Sequence, residues 1–382
     1  MQEKYFKRVA VIADQMTSFG GADREMFSML KLFPNADIYT IAFDANKYIG
    51  IKQRVYTSFV QRIPKPKSFY RHLKILTPWA YESFDLRKYD LVISISAGPA
   101  RGVITGIYQP HIAMVMTPPR SLWDNELNVR ASRLKNIYKP ISTILNTYMR
   151  IWDLSISKRV DYWTANSKYI AKKILKRYGT NATVIYPGIS KESFEKVSKE
   201  QKRKICEKYD IEGEFVLVVS RLYDYKRIDW AIRACLKAGK QLVIVGEGPD
   251  MKYLKSIANG NTLIKFLGFV EDDSEVRVFF NIAEVLLFCG IEDFGLVPVE
   301  AMAQGTPVFA YEEGGVLETV KRGICGEFFK DEKELTKLLK NFKKRRYNPR
   351  EIVKRAQEFT EEKFLNNLEE YIKKVYDTER KK

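Results

Sequence analysis

Cys289-Gly-Ile-Glu-Asp-Phe-Gly-Leu-Val-Pro-Val-Glu-Ala-Met-Ala-Gln-Gly305 is the stretch from which the fold is read. It follows an apolar run, Val285 to Phe288, that reads as a strand. It then passes through a glycine loop carrying Glu292 into a helix expected to open near Pro298 and to carry Glu300. Proline suits a first helical turn, where its missing N–H would have no partner, so the other N–H groups and the positive dipole end point back at the loop. Such a hole receives anions. With carboxylates beside it to take hydroxyls, it suits a phosphorylated polyol. The same residues equally describe a strand-loop-helix corner whose acids face solvent.

Working outward, the same unit recurs. Phe215 to Val219 reads as a strand and is followed by Ser220-Arg-Leu-Tyr-Asp-Tyr-Lys-Arg227 and a helix ending near Gly239. There Arg221 can offer a bidentate fork to a diphosphate and Lys226 a point charge. Leu242 to Val245 leads into Gly246-Glu-Gly-Pro249, Leu263 to Leu267 into Gly268-Phe-Val270, and Pro307 to Ala310 into Glu313-Gly-Gly-Val316. The first half shows the same alternation, with strands at Val9–Ala13, Asp37–Phe43, Leu91–Ser96, Ile112–Met116 and Tyr162 onward. Gly20-Gly21 precedes a helix through Leu32 and can bring backbone N–H groups to a phosphate; it is not a full G-x-G-x-x-G and also fits an ordinary tight turn. Thr117-Pro-Pro-Arg-Ser-Leu-Trp-Asp124 reads as a stiff loop presenting Arg120, Trp123 and Asp124 at a strand end, and Ser167 as the cap of a helix from Lys168 to Tyr178.

Two consecutive doubly wound α/β units follow from this pattern. The first is expected over residues 1–188, completed by about 360–382, and the second over 189–359. Pro187-Gly188 and the charged run to Lys204 read as linker and hinge. From Asp331 onward the pattern is helical.

Composition narrows the function. With 382 residues, 45% apolar and 13% aromatic, the chain is long enough for two cored domains. Its net charge of +18 calls for an anionic partner: nucleic acid, a membrane face or a phosphorylated substrate. Between Arg54 and Trp79, and again from Arg130 to Arg159, basic residues alternate with aromatics. This suits an anionic membrane surface and equally a solvated helix pair with snorkelling lysines. Cys206, Cys235, Cys289 and Cys325 are far apart, which points to a reduced, cytoplasmic compartment and no zinc site. His72 and His111 are the only histidines, too few for a His-rich metal centre. No apolar run approaches the length of a membrane span.

The ordered set Ser220-Arg221-Leu222, Lys226-Arg227, Gly246-Glu-Gly-Pro249, Gly268-Phe-Val270, Glu292-Asp-Phe-Gly295, Glu300-Ala-Met-Ala-Gln-Gly-Thr-Pro307 and Gly314-Gly315 resembles the retaining GT-B glycosyltransferases of family 4. The first half, through Thr117-Pro-Pro-Arg120, Trp123-Asp124, Ala165-Asn-Ser167 and Tyr186-Pro-Gly188, is most similar to mannosyltransferases of the WbaZ type, which build O-antigen and related polysaccharides. The resemblance implies two Rossmann-like domains facing across a cleft, with C-terminal helices packing back on the first. It implies transfer of a hexose, mannose above all, from GDP-mannose or a UDP-sugar to a lipid-linked or glycan acceptor, without metal or further cofactor. Arg221 and Lys226 would hold the diphosphate, and Glu292 would take donor-sugar hydroxyls. The backbone N–H groups of Phe294, Gly295 and Leu296 would assist Glu292. Glu300 would take the ribose, Phe269 and Val270 would line the base pocket, and Gly20 and Gly21 would approach the donor from the first domain. A peripheral position on the inner membrane face, and no nucleic-acid partner, complete the expectation.

One position departs from the family pattern. Met116 stands where these transferases carry a histidine before Thr117-Pro118, and a thioether cannot hydrogen-bond a sugar hydroxyl as imidazole does. His111 lies at an odd offset along the strand and so faces the other way. A sugar-nucleotide epimerase of similar form, and a catalytically weak homologue that binds membrane or nucleotide, are the rival readings.

Overall fold

The computed structural model describes residues 5–17, 20–63, 74–124 and 139–381. His72 and Arg130 lie outside them, as do Lys65, Lys67, Phe69, Tyr70, Arg71 and Tyr138 of the two basic-aromatic stretches. Among the described residues, those up to 187 together with 362–381 form one unit, and 188–361 form a second.

The first unit holds seven parallel strands in the order β3-β2-β1-β4-β5-β6-β7. They are β1 (Val9–Ala13), β2 (Asp37–Thr40), β3 (Val55–Thr57), β4 (Leu91–Ser96), β5 (His111–Val115), β6 (Tyr162–Ala165) and β7 (Thr183–Val184). β1, β4 and β5 are buried along their whole length, which is why they read as unbroken apolar runs and not as alternating ones. The last helix, Glu361–Glu379, turns Phe364, Leu368, Ile372 and Val375 into the same core as Val9, Val11 and Ile93. Their spacing of four, four and three residues is that of one helical face. The expected packing of the C-terminal helix on the first unit is therefore present.

The second unit holds six parallel strands in the order β10-β9-β8-β11-β12-β13. They are β8 (Phe215–Val219), β9 (Gln241–Val245), β10 (Ile264–Gly268), β11 (Val285–Phe288), β12 (Val308–Tyr311) and β13 (Gly326–Phe329). The strand order reverses between β8 and β11, and ligands of open α/β sheets bind outside the strand ends at such a reversal.

Two expectations change. The stretch from Arg54 is no helix pair in its described part: Val55–Thr57 pairs with Ile38–Thr40 as an edge strand, and single turns follow at Phe59–Arg62 and Lys74–Leu76. The charged run after Gly188 is not spacer. Ser198 caps the helix Lys199–Tyr209 in a box with Gln201, and Tyr209 and Lys208 bond Glu275 within the second unit. At the unit boundary the outgoing and returning segments lie side by side, Ile189 N–H donating to Phe359 O and Glu361 N–H to Ile189 O, each at 2.9 Å.

Candidate active site

The loop after β8 is fixed from below. Ser220 N–H donates to Val245 O at 3.0 Å, and Leu222 N–H donates to Glu247 O at 2.9 Å, so the loops after β8 and β9 form one layer. This approach requires Gly246: a Cβ there would stand 2.0 Å from Ser220 O. Arg221 is exposed on the layer, its guanidinium 5.6 Å from the centre of the Tyr223 ring. A single turn, Asp224–Lys226, then leads through Arg227 in the left-handed region into the helix Ile228–Ala238.

Lys226 is directed at Glu292, and the two side chains form an ion pair across the gap between β8 and β11. The chain carries Glu292 in from β11 and holds it by its backbone. Gly315 N–H donates to Glu292 O at 2.9 Å, and Glu292 and Gly314 form an isolated bridge. Gly314 has φ +95, and a Cβ on it would lie 2.5 Å from Glu292 O, so both backbone angle and space demand glycine. Three neighbouring strand ends, those of β8, β11 and β12, therefore converge on one lysine and one glutamate.

The helix after β11 opens two residues before the expected position. It spans Leu296–Ala303, with Gly295 as its left-handed N-cap and Pro298 at the third position. The first N–H groups of a helix have no acceptor within it, so Leu296 and Val297 put donors at the same loop. Glu300 is half-buried in the second turn of this helix. The Phe294 ring is buried edge-on to Phe359 with centroids 5.6 Å apart, which leaves its backbone as the part able to serve a ligand. Cys289, at the head of the stretch, has its thiol pushed up by burial and is no nucleophile.

On the other side of the reversal, Phe269 is exposed and Val270 buried directly after β10. Beside them an open cavity of about 750 Å³ is lined by Glu247, Gly248, Met251, Lys255, Phe266, Leu267 and Gly268. Met251 and Lys255 were not singled out from the sequence, although their i, i+4 spacing after Gly246-Glu-Gly-Pro249 puts both on one helix face.

In the first unit the expected site residues are mostly engaged in its own packing. Gly20 caps the helix Gly21–Leu30, and its N–H donates to Asp23 Oδ2 at 2.8 Å, while Tyr48 donates to Asp23 Oδ1 at 2.8 Å. A carboxylate of the chain itself thus occupies the Gly20 amide, whereas Gly21 borders open space. Trp123 and Asp124 are not presented to a ligand as the loop reading expected. Trp123 Nε1 donates to Asp153 at 2.7 Å, and Asp124 pairs with Lys173 at 3.0 Å. Asp153 also binds the fully buried Arg101 and accepts from Tyr178 at 2.9 Å. Met116 is buried in the core, its carbonyl accepting from Asn166 Nδ2 at 3.2 Å. His111 sits at the opposite end of β5, its Nε2 2.8 Å from Ser94 Oγ, with burial pushing the imidazole down to about 4. It cannot stand in for a side chain at position 116.

Two parallel Rossmann-like units in one chain, the second with a lysine-glutamate pair at its strand-order reversal, define the GT-B fold class. Residues 198–359, most of the second unit, match the family model "Glycosyl transferases group 1". Among similar proteins, an uncharacterized glycosyltransferase of Methanocaldococcus jannaschii is 31% identical over 173 residues, 42% of this chain and 44% of the relative. The alpha-monoglucosyldiacylglycerol synthase of Acholeplasma laidlawii is 31% identical over 185 residues, 45% of this chain and 46% of that protein. Each match takes in less than half of the relative. Among solved structures, Anabaena HepE in complex with UDP and glucose aligns over 96% of this chain and 99% of its own, with TM-score 0.71 and 18% identity. That likeness concerns the fold.

Proposed function

We propose that the chain is a retaining glycosyltransferase that moves a hexose from a nucleotide sugar to a lipid-linked or polysaccharide acceptor. The observation that carries this reading is the Lys226–Glu292 pair at the reversal between β8 and β11. It combines a cation for a diphosphate with a carboxylate for sugar hydroxyls, beside a cavity large enough for a base. Arg221 forks the diphosphate and Lys226 turns from Glu292 onto it, so two fixed cations meet the charge of the leaving group without a metal ion. Glu292, released, accepts hydroxyls of the donor sugar, and the backbone N–H groups of Phe294, Gly295 and Leu296 hold the sugar from the other side. Glu300 takes the ribose hydroxyls, and Phe269 and Val270 border the base.

The acceptor hydroxyl attacks the anomeric carbon on the face the diphosphate leaves. The bond to diphosphate breaks, and a diphosphate oxygen takes the hydroxyl proton. Catalysis then rests on charge placed in advance and on positioning. Mannose from GDP-mannose is the donor favoured by the first-half motifs, while UDP and glucose in the HepE structure favour a UDP-sugar as the alternative. The acceptor is assigned to the cytoplasmic face of an anionic membrane, in keeping with the net charge of +18 and with a relative named for a glucosylated diacylglycerol.

A thermal-shift screen with UDP, GDP, UDP-glucose and GDP-mannose tests the reading. A ligand at about 100 times its dissociation constant adds about 2.7 kcal/mol, and Arg221→Ala and Lys226→Ala should each abolish most of the gain. No stabilisation by either nucleotide series, or normal stabilisation of both variants, would sink it.

A further inference from the structure

We infer that the helix Lys139–Ile156, together with the short helix Thr77–Glu82, forms a face of the first unit that seats in the headgroup region of an anionic bilayer. The inference rests on the proposed membrane-borne acceptor and names the surface that meets the membrane. On the long helix, Ile144, Tyr148 and Ile151 follow at i, i+4 and i+7 and point outward, Ile144 70% and Ile151 64% exposed, with Leu154 extending the row. The inward side is already filled by Met149, Trp152 and Ile156. A surface helix of a globular domain places its apolar stripe inward and its charges outward. Here both sides are apolar, and among the residues whose side chains are described the exposed positions carry only Thr and Ser besides the large apolar residues.

The charged residues that lie between Lys139 and Lys158 both turn away from this face. Arg150 Nε donates to Leu122 O at 2.8 Å, and Asp153 is buried against Trp123 and Tyr178. The turn Lys74–Leu76 packs on the same helix, and Trp152 Nε1 donates to Glu82 Oε1 at 3.3 Å, so the end of the short helix is tied to the long one. It contributes Trp79, 57% exposed, and the turn contributes Ile75, also exposed.

Charge selects the occupant. Residues 1–187 and 362–382 hold 35 Lys and Arg against 18 Asp and Glu, a net of +17, which leaves +1 for residues 188–361. A second copy of the chain would bring a like-charged unit against this face. An uncharged apolar strip offers nothing to phosphates read one by one along a nucleic acid. An anionic bilayer satisfies both features, because the basic unit is drawn to the surface and the uncharged strip enters the headgroup–acyl boundary. No helix among the described residues is long and apolar enough to cross a membrane, so the strip would lie along it.

The test uses the full chain and vesicles of phosphatidylglycerol with phosphatidylcholine, or phosphatidylcholine alone, across a salt series. Wild type should sediment with the anionic vesicles, retain part of its binding at high salt where surface charge is screened, and show blue-shifted Trp79 emission on binding. The exposed-site variant Ile144→Gln/Tyr148→Gln/Ile151→Gln should lose about a hundredfold in partition, from the apolar area withheld. It should keep the nucleotide thermal shift of wild type. Equal partition of variant and wild type overturns the inference, as does a wild-type dimer that the triple variant dissociates. Failure of wild type to bind vesicles also overturns it; if UDP or GDP still stabilises the chain, the transferase reading survives that failure, and if neither does, both fall.

Discussion

Replacing Glu292 by Gln should tighten binding of the bare nucleoside diphosphate while removing the preference for its sugar conjugate. In the structure Lys226 spends its charge on Glu292, and the two side chains are only 12% and 23% exposed. Unit charges 4 Å apart near a protein surface interact by about 4 kcal/mol. Partial exposure and the amide oxygen left by Gln reduce the gain from freeing Lys226 to about 1–2 kcal/mol, or roughly five- to thirtyfold in affinity for UDP or GDP. The sugar, however, loses a charged acceptor for its hydroxyls, about 1.5–3 kcal/mol. The ratio of the dissociation constants for nucleotide sugar and nucleotide should therefore shift against the sugar by about ten- to 150-fold. Isothermal titration with UDP, GDP and their sugar conjugates measures both quantities. Lys226→Met serves as the control and should weaken both ligands alike. If Glu292→Gln binds the nucleotides no more tightly, or if the ratio stays where it was, Lys226 is not the diphosphate cation and Glu292 does not read the sugar.

The first unit supports three stability predictions. Burial pushes the Glu25 carboxyl up to about 8 from 4.5, so the stability its neutral form contributes is present below pH 4.5 and is lost as pH rises to 8. Burial pushes His111 down to about 4 from 6.5, so its contribution is present above pH 6.5 and is lost as pH falls to 4. Relative to wild type, Glu25→Gln should gain about 1.4 kcal/mol per pH unit between pH 4.5 and 8, whereas the deficit of His111→Gln should shrink by a similar slope as pH falls from 6.5. Urea unfolding across that range checks both, and curves parallel to wild type would refute the assignment. Arg101→Met should cost about 3 kcal/mol by stranding Asp153, and adding Asp153→Asn should cost no more; a loss under about 0.5 kcal/mol in Arg101→Met would contradict it.

Much of this molecule is legible in its residues, for identifiable reasons. Strands buried on both faces, such as Val9–Ala13, Leu91–Ser96 and Phe215–Val219, appear as short apolar runs ended by glycine or polar loops, and the structure places strands there. Edge strands carry no such signature. Val55–Thr57 is three residues long, too short to show a period, and Gly326–Phe329 pairs on one side only. Arg221, Lys226 and Glu292 could be named because each follows a strand. That Lys226 meets Glu292 depends on β8 lying beside β11, an order no local pattern encodes. The loop reading fails at Trp123 and Asp124 for a related reason: their partners, Asp153 and Lys173, are supplied by helices distant in sequence. The lining of the cavity at Met251 and Lys255 is not legible in the sequence, because a Met and a Lys one helical turn apart carry no signal until a loop opens in front of them.

The paired crossing at Ile189 and Phe359–Glu361 makes the second unit an uninterrupted insert whose two ends meet, set inside a first unit that is made of separated pieces. On the ribosome this inverts the order of completion. The core around Val9 and Ile93 lacks the Phe364, Leu368, Ile372 and Val375 face of its last helix until every residue of the insert has been made. The unit synthesised first is therefore finished last, and until then its apolar sheet face stands open to chaperones or to aggregation.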